Sequence, residues 1–341
     1  MRRSSRVAAF VALLAVLAAG CSSVPRSRPP VQPPVDAAAL AGVTLKVGDQ
    51  KGGSRSLLAA AGLLDDLPYK VEWSTFTSGP PLIEAARAGA IDLGGTGNTP
   101  VIFAAAAKAR VQIVSASQGN VTSDAILAPR ESSLRTVADL RGKRIAVAKG
   151  SSAHGQLLYV LRAAGLTLDD VDATFLAPAD AYAAFQQGEV DAWAVWDPYT
   201  AQAQLQLGAR TIATGEGTAN GYSFQVASNA ALADPARSAA VGDLLARIAK
   251  AQRYSDVERA ERAQVWSDET KLPLPVTTLS VDRGPDLPVP MDDALVASEQ
   301  DLANAFSDAG VIPGSVAFGD YVDRRFEAGT MAAAQTLPRT S

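Results

Sequence analysis

Ile91-Asp92-Leu93-Gly94-Gly95-Thr96-Gly97-Asn98-Thr99-Pro100 carries the plan of the chain in ten residues. A short apolar run, 91–94, reads as a strand. A glycine-rich turn follows, and Pro100 suits the first turn of a helix running over 100–109. Upstream, 44–47 reads as a strand, 55–64 as a helix, 70–76 as a strand and 80–88 as a helix. Downstream, 111–115 is a further strand.

A similar second set begins near Ala125. Strands are expected at 125–128, 144–148, 173–176 and 192–196, and helices at 136–140, 153–164, 179–187 and 198–207. The last strand candidates are 210–213 and 224–227; beyond them the chain reads as helical at 235–254, 256–267 and 291–309. Short strands of small apolar residues, cut by glycine, fit buried parallel strands covered by helices. The predicted fold is α/β with two lobes, each a mainly parallel sheet flanked by helices. Lobe 1 is expected to take 43–120 and 225–325, and lobe 2 121–224, with crossings near 118–124 and 222–229. Residues 326–341 read as a C-terminal tail. The chain shows no repeat on the scale of about 20–50 residues that a solenoid requires.

Arg2, Arg3 and Arg6 precede thirteen apolar residues, 7–19, and then Gly20-Cys21. Positive residues, a short apolar stretch and small residues make 1–20 an export signal. Thirteen residues fall short of the roughly twenty that span a bilayer, which disfavours a transmembrane anchor. The run Leu17-Ala18-Ala19-Gly20-Cys21 resembles the lipobox of bacterial lipoproteins, which implies cleavage before Cys21 and lipidation of that residue. A buried thiol is the blander alternative. Pro25, Pro29, Pro30, Pro33 and Pro34 make 21–42 an extended tether with a reach on the order of 60 Å.

Removing three arginines from 31 basic residues leaves 28 against 35 acidic, a mature net charge of −7. That balance argues against nucleic acid but not against a small anion, which is read locally. Cys21 is the sole cysteine and His154 the sole histidine, so neither a disulfide nor a zinc site is expected, and no cofactor is implied.

Ligands of open α/β sheets bind beyond the carboxyl ends of strands, where helices begin. Four such places stand out: Asp49-Gln50-Lys51-Gly52-Gly53-Ser54, Thr77-Ser78-Gly79-Pro80-Pro81, Gly94 to Pro100, and Lys149-Gly150-Ser151-Ser152-Ala153-His154. Each combines glycine, a hydroxyl or amide, and a helix start whose N–H groups carry partial positive charge. Together they suit an anion. Singly, each is equally an ordinary helix cap.

Four motifs make the resemblance specific. Val47-Gly48-Asp49-Gln50-Lys51-Gly52, Gly94-Gly95-Thr96-Gly97-Asn98-Thr99-Pro100, Val137-Ala138-Asp139-Leu140-Arg141-Gly142-Lys143 and the run Val190 to Tyr199 resemble the aliphatic-sulfonate-binding proteins of ABC importers. The likeness runs from about residue 43 to 325 and includes Glu299-Gln300-Asp301-Leu302-Ala303. It implies the two-lobed periplasmic-binding-protein fold of type II, with the ligand in the cleft. It also implies a monomer outside the cytoplasm that delivers its ligand to a permease driven by a cytoplasmic ATPase. More loosely, it extends to binders of taurine, nitrate or a thiamine-precursor pyrimidine. A sulfonate is a permanent anion with three acceptor oxygens, for which neutral donors suffice.

By resemblance and position, Gln50 and Lys51 form one rim and Ser78 the second loop, while Gly97, Asn98 and Thr99 hold the anion. Ser151, Ser152 and His154 come from the other lobe, with His154 neutral at a helix start. Trp196 is the candidate apolar wall, against the alternative that Trp193 and Trp196 both fill a core. Asp197 reads first as a cap ahead of Pro198 and second as a ligand contact. Arg55 pairs with an anion or lies on a solvated face. The sequence departs from the family at Asp49, where an aromatic residue is expected, and at Asn98, where some sulfonate binders carry aspartate. Relatives resembling sulfinate desulfinases use a cysteine nucleophile, which the body of this chain lacks. Gly150 to His154 fails the nucleophile-elbow pattern, and Gly142-Lys143 is no phosphate-binding loop. Taurine demands a carboxylate, from Asp49 or Asp197; nitrate leaves Trp196 without purpose; a pyrimidine stacks on it. A scaffold without a ligand is the third class.

Overall fold

The computed structural model describes residues 37–337; the expected signal 1–20 and residues 21–36 of the expected tether 21–42, Cys21 among them, lie outside them, while 37–41 of that tether form a short helix instead of extended chain. The chain opens with α1 (Ala37–Ala41), β1 (Thr44–Gln50), α2 (Ser54–Ala60), β2 (Lys70–Phe76), α3 (Gly79–Arg87), β3 (Leu93–Gly97), α4 (Asn98–Ala106) and β4 (Val111–Gln118). It crosses to β5 (Ala125–Ala128), β6 (Arg144–Val147), α5 (Ser152–Ala163), β7 (Asp172–Phe175), α6 (Pro178–Gln187), β8 (Ala192–Val195), α7 (Tyr199–Leu207) and β9 (Arg210–Thr214). β10 (Tyr222–Ser228) returns it. After β10 come α8 (Asn229–Ala233), α9 (Pro235–Val257), α10 (Arg259–Thr270), α11 (Leu274–Asp282), β11 (Leu287–Val289), α12 (Asp293–Asp308) and α13 (Glu327–Ala333).

Two sheets result, ordered β11-β4-β10-β3-β1-β2 and β7-β6-β8-β5-β9. The α/β class, the paired sheets and the mainly parallel strand direction match the expectation: β2, β1, β3 and β4 run one way in the first sheet, and β7, β6, β8 and β9 in the second. β1 is parallel to β2 and β3, and β6 to β7 and β8. β10 is antiparallel to β3 and β4, β11 to β4, and β5 to β8 and β9. Strands reached by crossing between sheets need no helical crossover and are free to oppose their neighbours. Residues 222–224, expected in the second lobe, already pair in the first sheet through β10. Residues 326–337, expected as a tail, place α13 against α9 with Thr330 buried.

Alternation explains the layers. In β5, Ala125 and Leu127 face one core with Phe185 and Trp193, while Ile126 and Ala128 face the other with Ile145, Val147 and Leu161. The first sheet is likewise covered on both faces. Leu45, Val47 and Leu93 meet Leu244, Leu245 and Ile248 of α9, and Ile113, Phe224 and Val226 meet Leu302 and Phe306 of α12. Gly95–Gly97 extend β3 because β10 pairs along them, Gly97 with Ser223 and Thr96 with Phe224. The following helix therefore starts at Asn98. Among the described residues, no helix is long and apolar enough to cross a membrane.

The crossings run side by side. Gly119 N–H donates to Gly221 O (2.9 Å), and Gly215 N–H to Val121 O (2.9 Å).

Candidate functional site

The carboxyl ends of β1, β3 and β8, the start of α5, both crossings and the segment 280–286 surround one cavity of about 330 Å³. Gln50, Lys51, Gly97, Asn98, Ser151, Ser152, Trp196 and Asp197 line it. Ser78, Thr99 and His154 do not.

Ser78 lies buried ahead of α3, and only its neighbour Gly79 reaches the cavity. Thr99 is buried in the first turn of α4, where its N–H (2.6 Å) and hydroxyl (3.1 Å) donate to Asn98 Oδ1. The His154 ring packs among Phe103, Phe175 and Phe306 at centroid distances of 6.2, 5.5 and 5.2 Å. Burial and nearby Lys149 push it down to about 4. It is therefore neutral, and its Nδ1 accepts the Gly150 N–H (3.1 Å). The histidine fixes the loop ahead of α5 and does not line the cavity.

Two of the four helix starts are already engaged. The buried Asp49 carboxylate turns back on α2 and accepts N–H bonds from Gln50 (2.9 Å), Ser54 (2.9 Å) and Arg55 (2.8 Å). Burial outweighs those bonds and raises Asp49 to about 6. Ser151 Oγ accepts from His154 N–H (3.4 Å) and caps α5. Arg55 does not line the cavity and lies 3.6 Å from Glu269 on an exposed face.

The remaining predicted residues tie the walls together. Gln50 Nε2 donates to Gly95 O (3.1 Å), joining β1 to β3. Asn98 Nδ2 donates to Asn220 Oδ1 (2.9 Å), and Asn220 Nδ2 donates to Glu299 Oε1 (2.7 Å). Burial pushes Glu299 up to about 8. Lys51 Nζ sits 5.9 Å over the Tyr199 ring. Trp193 fills the core, as Trp196 does in part, but Trp196 also reaches the cavity. Asp197 Oδ1 accepts from Ala201 N–H (3.0 Å) at the start of α7, and Oδ2 lies 2.7 Å from Arg283 Nε. Its capping role thus comes with a buried ion pair.

Several cavity residues escaped the sequence reading: Asp124, Gln156, Gln225, Trp266, Arg283 and Asp286. Asp124 fell inside the expected crossing 118–124, which was the available signal; the others sit in helices, a strand or an irregular segment without periodicity. Among the described residues, buried side-chain polar atoms without a hydrogen bond include Thr96 Oγ1, Gln156 Oε1, Gln225 Oε1 and Trp266 Nε1, all on this cavity. Each such atom costs about 1–3 kcal/mol when left unmatched, so their concentration marks a place built for a polar guest.

Residues 54–267 match the profile of the NMT1-like family. A relative in Escherichia coli (strain K12), provisionally named an aliphatic sulfonates-binding protein, is 37% identical over 276 residues, covering 80% of this chain and 86% of its own length. The chain belongs to the NMT1-like family, among its aliphatic-sulfonate-binding members. The solved alkanesulfonate-binding protein SsuA of Xanthomonas axonopodis pv. citri, bound to MOPS, is similar at TM-score 0.75 and 34% identity, with 82% of this chain and 98% of that chain covered. The periplasmic aliphatic sulphonate binding protein SsuA of Escherichia coli gives 0.73 and 36%, covering 82% and 96%. In this family member, Gly97 and Ser152 approach across the cavity so closely that a Cβ on Gly97 would lie 3.0 Å from Ser152 Cβ.

Proposed function

We propose that the protein is the extracytoplasmic receptor of an ABC importer for aliphatic sulfonates, held at the membrane by lipid on Cys21. The unmatched polar atoms gathered on one cavity carry this reading, together with the family to which the chain belongs. Lobe 1 comprises the first sheet with α9, α10 and α12, and lobe 2 the second sheet. The paired crossings at Gly119–Val121 and Gly215–Gly221 are the hinge.

A sulfonate entering beside Gly97, Asn98, Ser151 and Ser152 meets donors from both lobes, and Trp196 shields its carbon chain. Contacts made only on closure shift the population to the closed form, which docks on the permease. The close Gly97–Ser152 approach supports reading this conformation as closed. The receptor acts as a monomer and performs no chemistry: a desulfinase-type mechanism needs a cysteine, and the single one here is Cys21.

Calorimetry on the purified protein tests the reading with alkanesulfonates, taurine, sulfate, nitrate and a hydroxymethylpyrimidine. Heat with sulfonates is expected; heat with the pyrimidine alone overturns the ligand. Cys21→Ala is expected to move the protein from the membrane to the soluble fraction, and retention at the membrane overturns the anchor.

A further inference from the structure

The cavity of an anion receptor is expected to be poor in carboxylates without a cationic partner. Among the described residues, this one has two on the crossing side. Asp124 accepts a hydrogen bond from the Ser152 hydroxyl and lies near Asp197 and Asp286; Asp286 accepts one from the Ser223 hydroxyl and packs so tightly on Gly119 that a Cβ there would lie 1.6 Å from its Oδ1. Arg283, the guanidinium on this side, is committed to Asp197 at 2.7 Å. Among the described residues neither Asp124 nor Asp286 forms an ion pair, and burial raises Asp124 to about 7.

A second observation comes from Gln156, 2% exposed on α5. Its Nε2 donates to the Asp124 backbone carbonyl (2.8 Å), which fixes the amide orientation. Its Oε1 is buried on the same cavity with no donor. Two acid groups and an unmatched acceptor call for a guest with N–H donors and positive charge. A plain alkanesulfonate supplies neither and leaves the carboxylates facing its own anion or its apolar tail.

We propose that Asp124, Asp286 and Gln156 form a cation subsite that selects sulfonates bearing a protonated amine over plain alkanesulfonates. This rests on the sulfonate-receptor reading and narrows its substrate class to zwitterions. The sulfonate lies toward Gly97 and Ser152, and the ammonium donates to the two carboxylates and to Gln156 Oε1.

The test compares near-isosteric pairs by calorimetry on the full protein: taurine against propane-1-sulfonate, and 3-aminopropanesulfonate against butane-1-sulfonate. At least one amine is expected to bind about tenfold or more tighter than its partner, as charge-assisted hydrogen bonds warrant. Asp124→Asn and, independently, Asp286→Asn are expected to collapse that ratio to within about threefold, with melting curves reporting that each variant is folded. Equal affinity within both pairs, or a ratio unchanged in both variants, overturns the subsite while leaving the receptor reading intact. Absence of binding by every sulfonate overturns the receptor reading, and this inference with it.

Discussion

Replacing Gly155 by alanine would put a Cβ 2.4 Å from Thr99 Oγ1, about an ångström inside ordinary contact. Gly155 lies on α5 beside the second sheet, and Thr99 on α4 beside the first, so the clash bears on how the lobes meet. Thr99 cannot easily yield, since Asn98 Oδ1 holds both its N–H and its hydroxyl. Overpacking of this kind costs about 1–3 kcal/mol. If only the closed form bears it, the Kd for butane-1-sulfonate rises about 5- to 150-fold. Within α5 itself, alanine is favoured over glycine by roughly 0.5–1 kcal/mol in both forms, so the ligand-free melting point stays level or rises. Calorimetry and thermal melting on Gly155→Ala and on Gly155→Ala/Thr99→Ala separate the two effects, and the double variant is expected to recover most of the affinity. Wild-type affinity in Gly155→Ala would refute the assignment of the α4–α5 contact to closure.

Two further outcomes follow from buried charge. Glu299 has a folded pKa of about 8 against an ordinary 4.5, so its contribution to stability is complete below about 4.5 and fades as pH rises through 8. Asp49 and Asp124 act in the same sense, whereas His154, pushed down to about 4, lowers stability as pH falls from 6.5. Glu299→Gln is expected to flatten the decline between pH 5 and 8.5 and to be more stable at the alkaline end by on the order of a few kcal/mol; an identical slope in denaturant titrations disproves this. Arg283→Ala leaves the Asp197 side chain, 8% exposed, without its partner. Unfolding by urea is expected to show a loss of about 3 kcal/mol, and Arg283→Ala/Asp197→Asn a smaller one; equal losses count against the ion pair.

The alternation of strand and helix was legible because its punctuation is local: Gly94 to Pro100 and Ser151 to His154 mark their helix starts within a few residues. What the helix starts do with their N–H groups was not. Asp49 shows in the sequence as an acidic residue before two glycines, and only the path of the loop turns its carboxylate back onto α2. The pairing of Asp197 with Arg283, and of Asn98 with Asn220 and Glu299, joins residues far apart in the chain, which no spacing rule reaches. β11 was missed because Pro288 sits inside it, a residue tolerated there because the strand is at the sheet edge.

The bond between Gly215 N–H and Val121 O makes the two ends of a long excursion into neighbours. A stretch that leaves and re-enters at adjoining points behaves as a cassette: it can be lifted out and replaced without rerouting the rest of the chain. Grafting the corresponding portion of a relative with different cargo onto this body would separate what each half contributes to recognition, leaving the late helices and the frame they brace untouched.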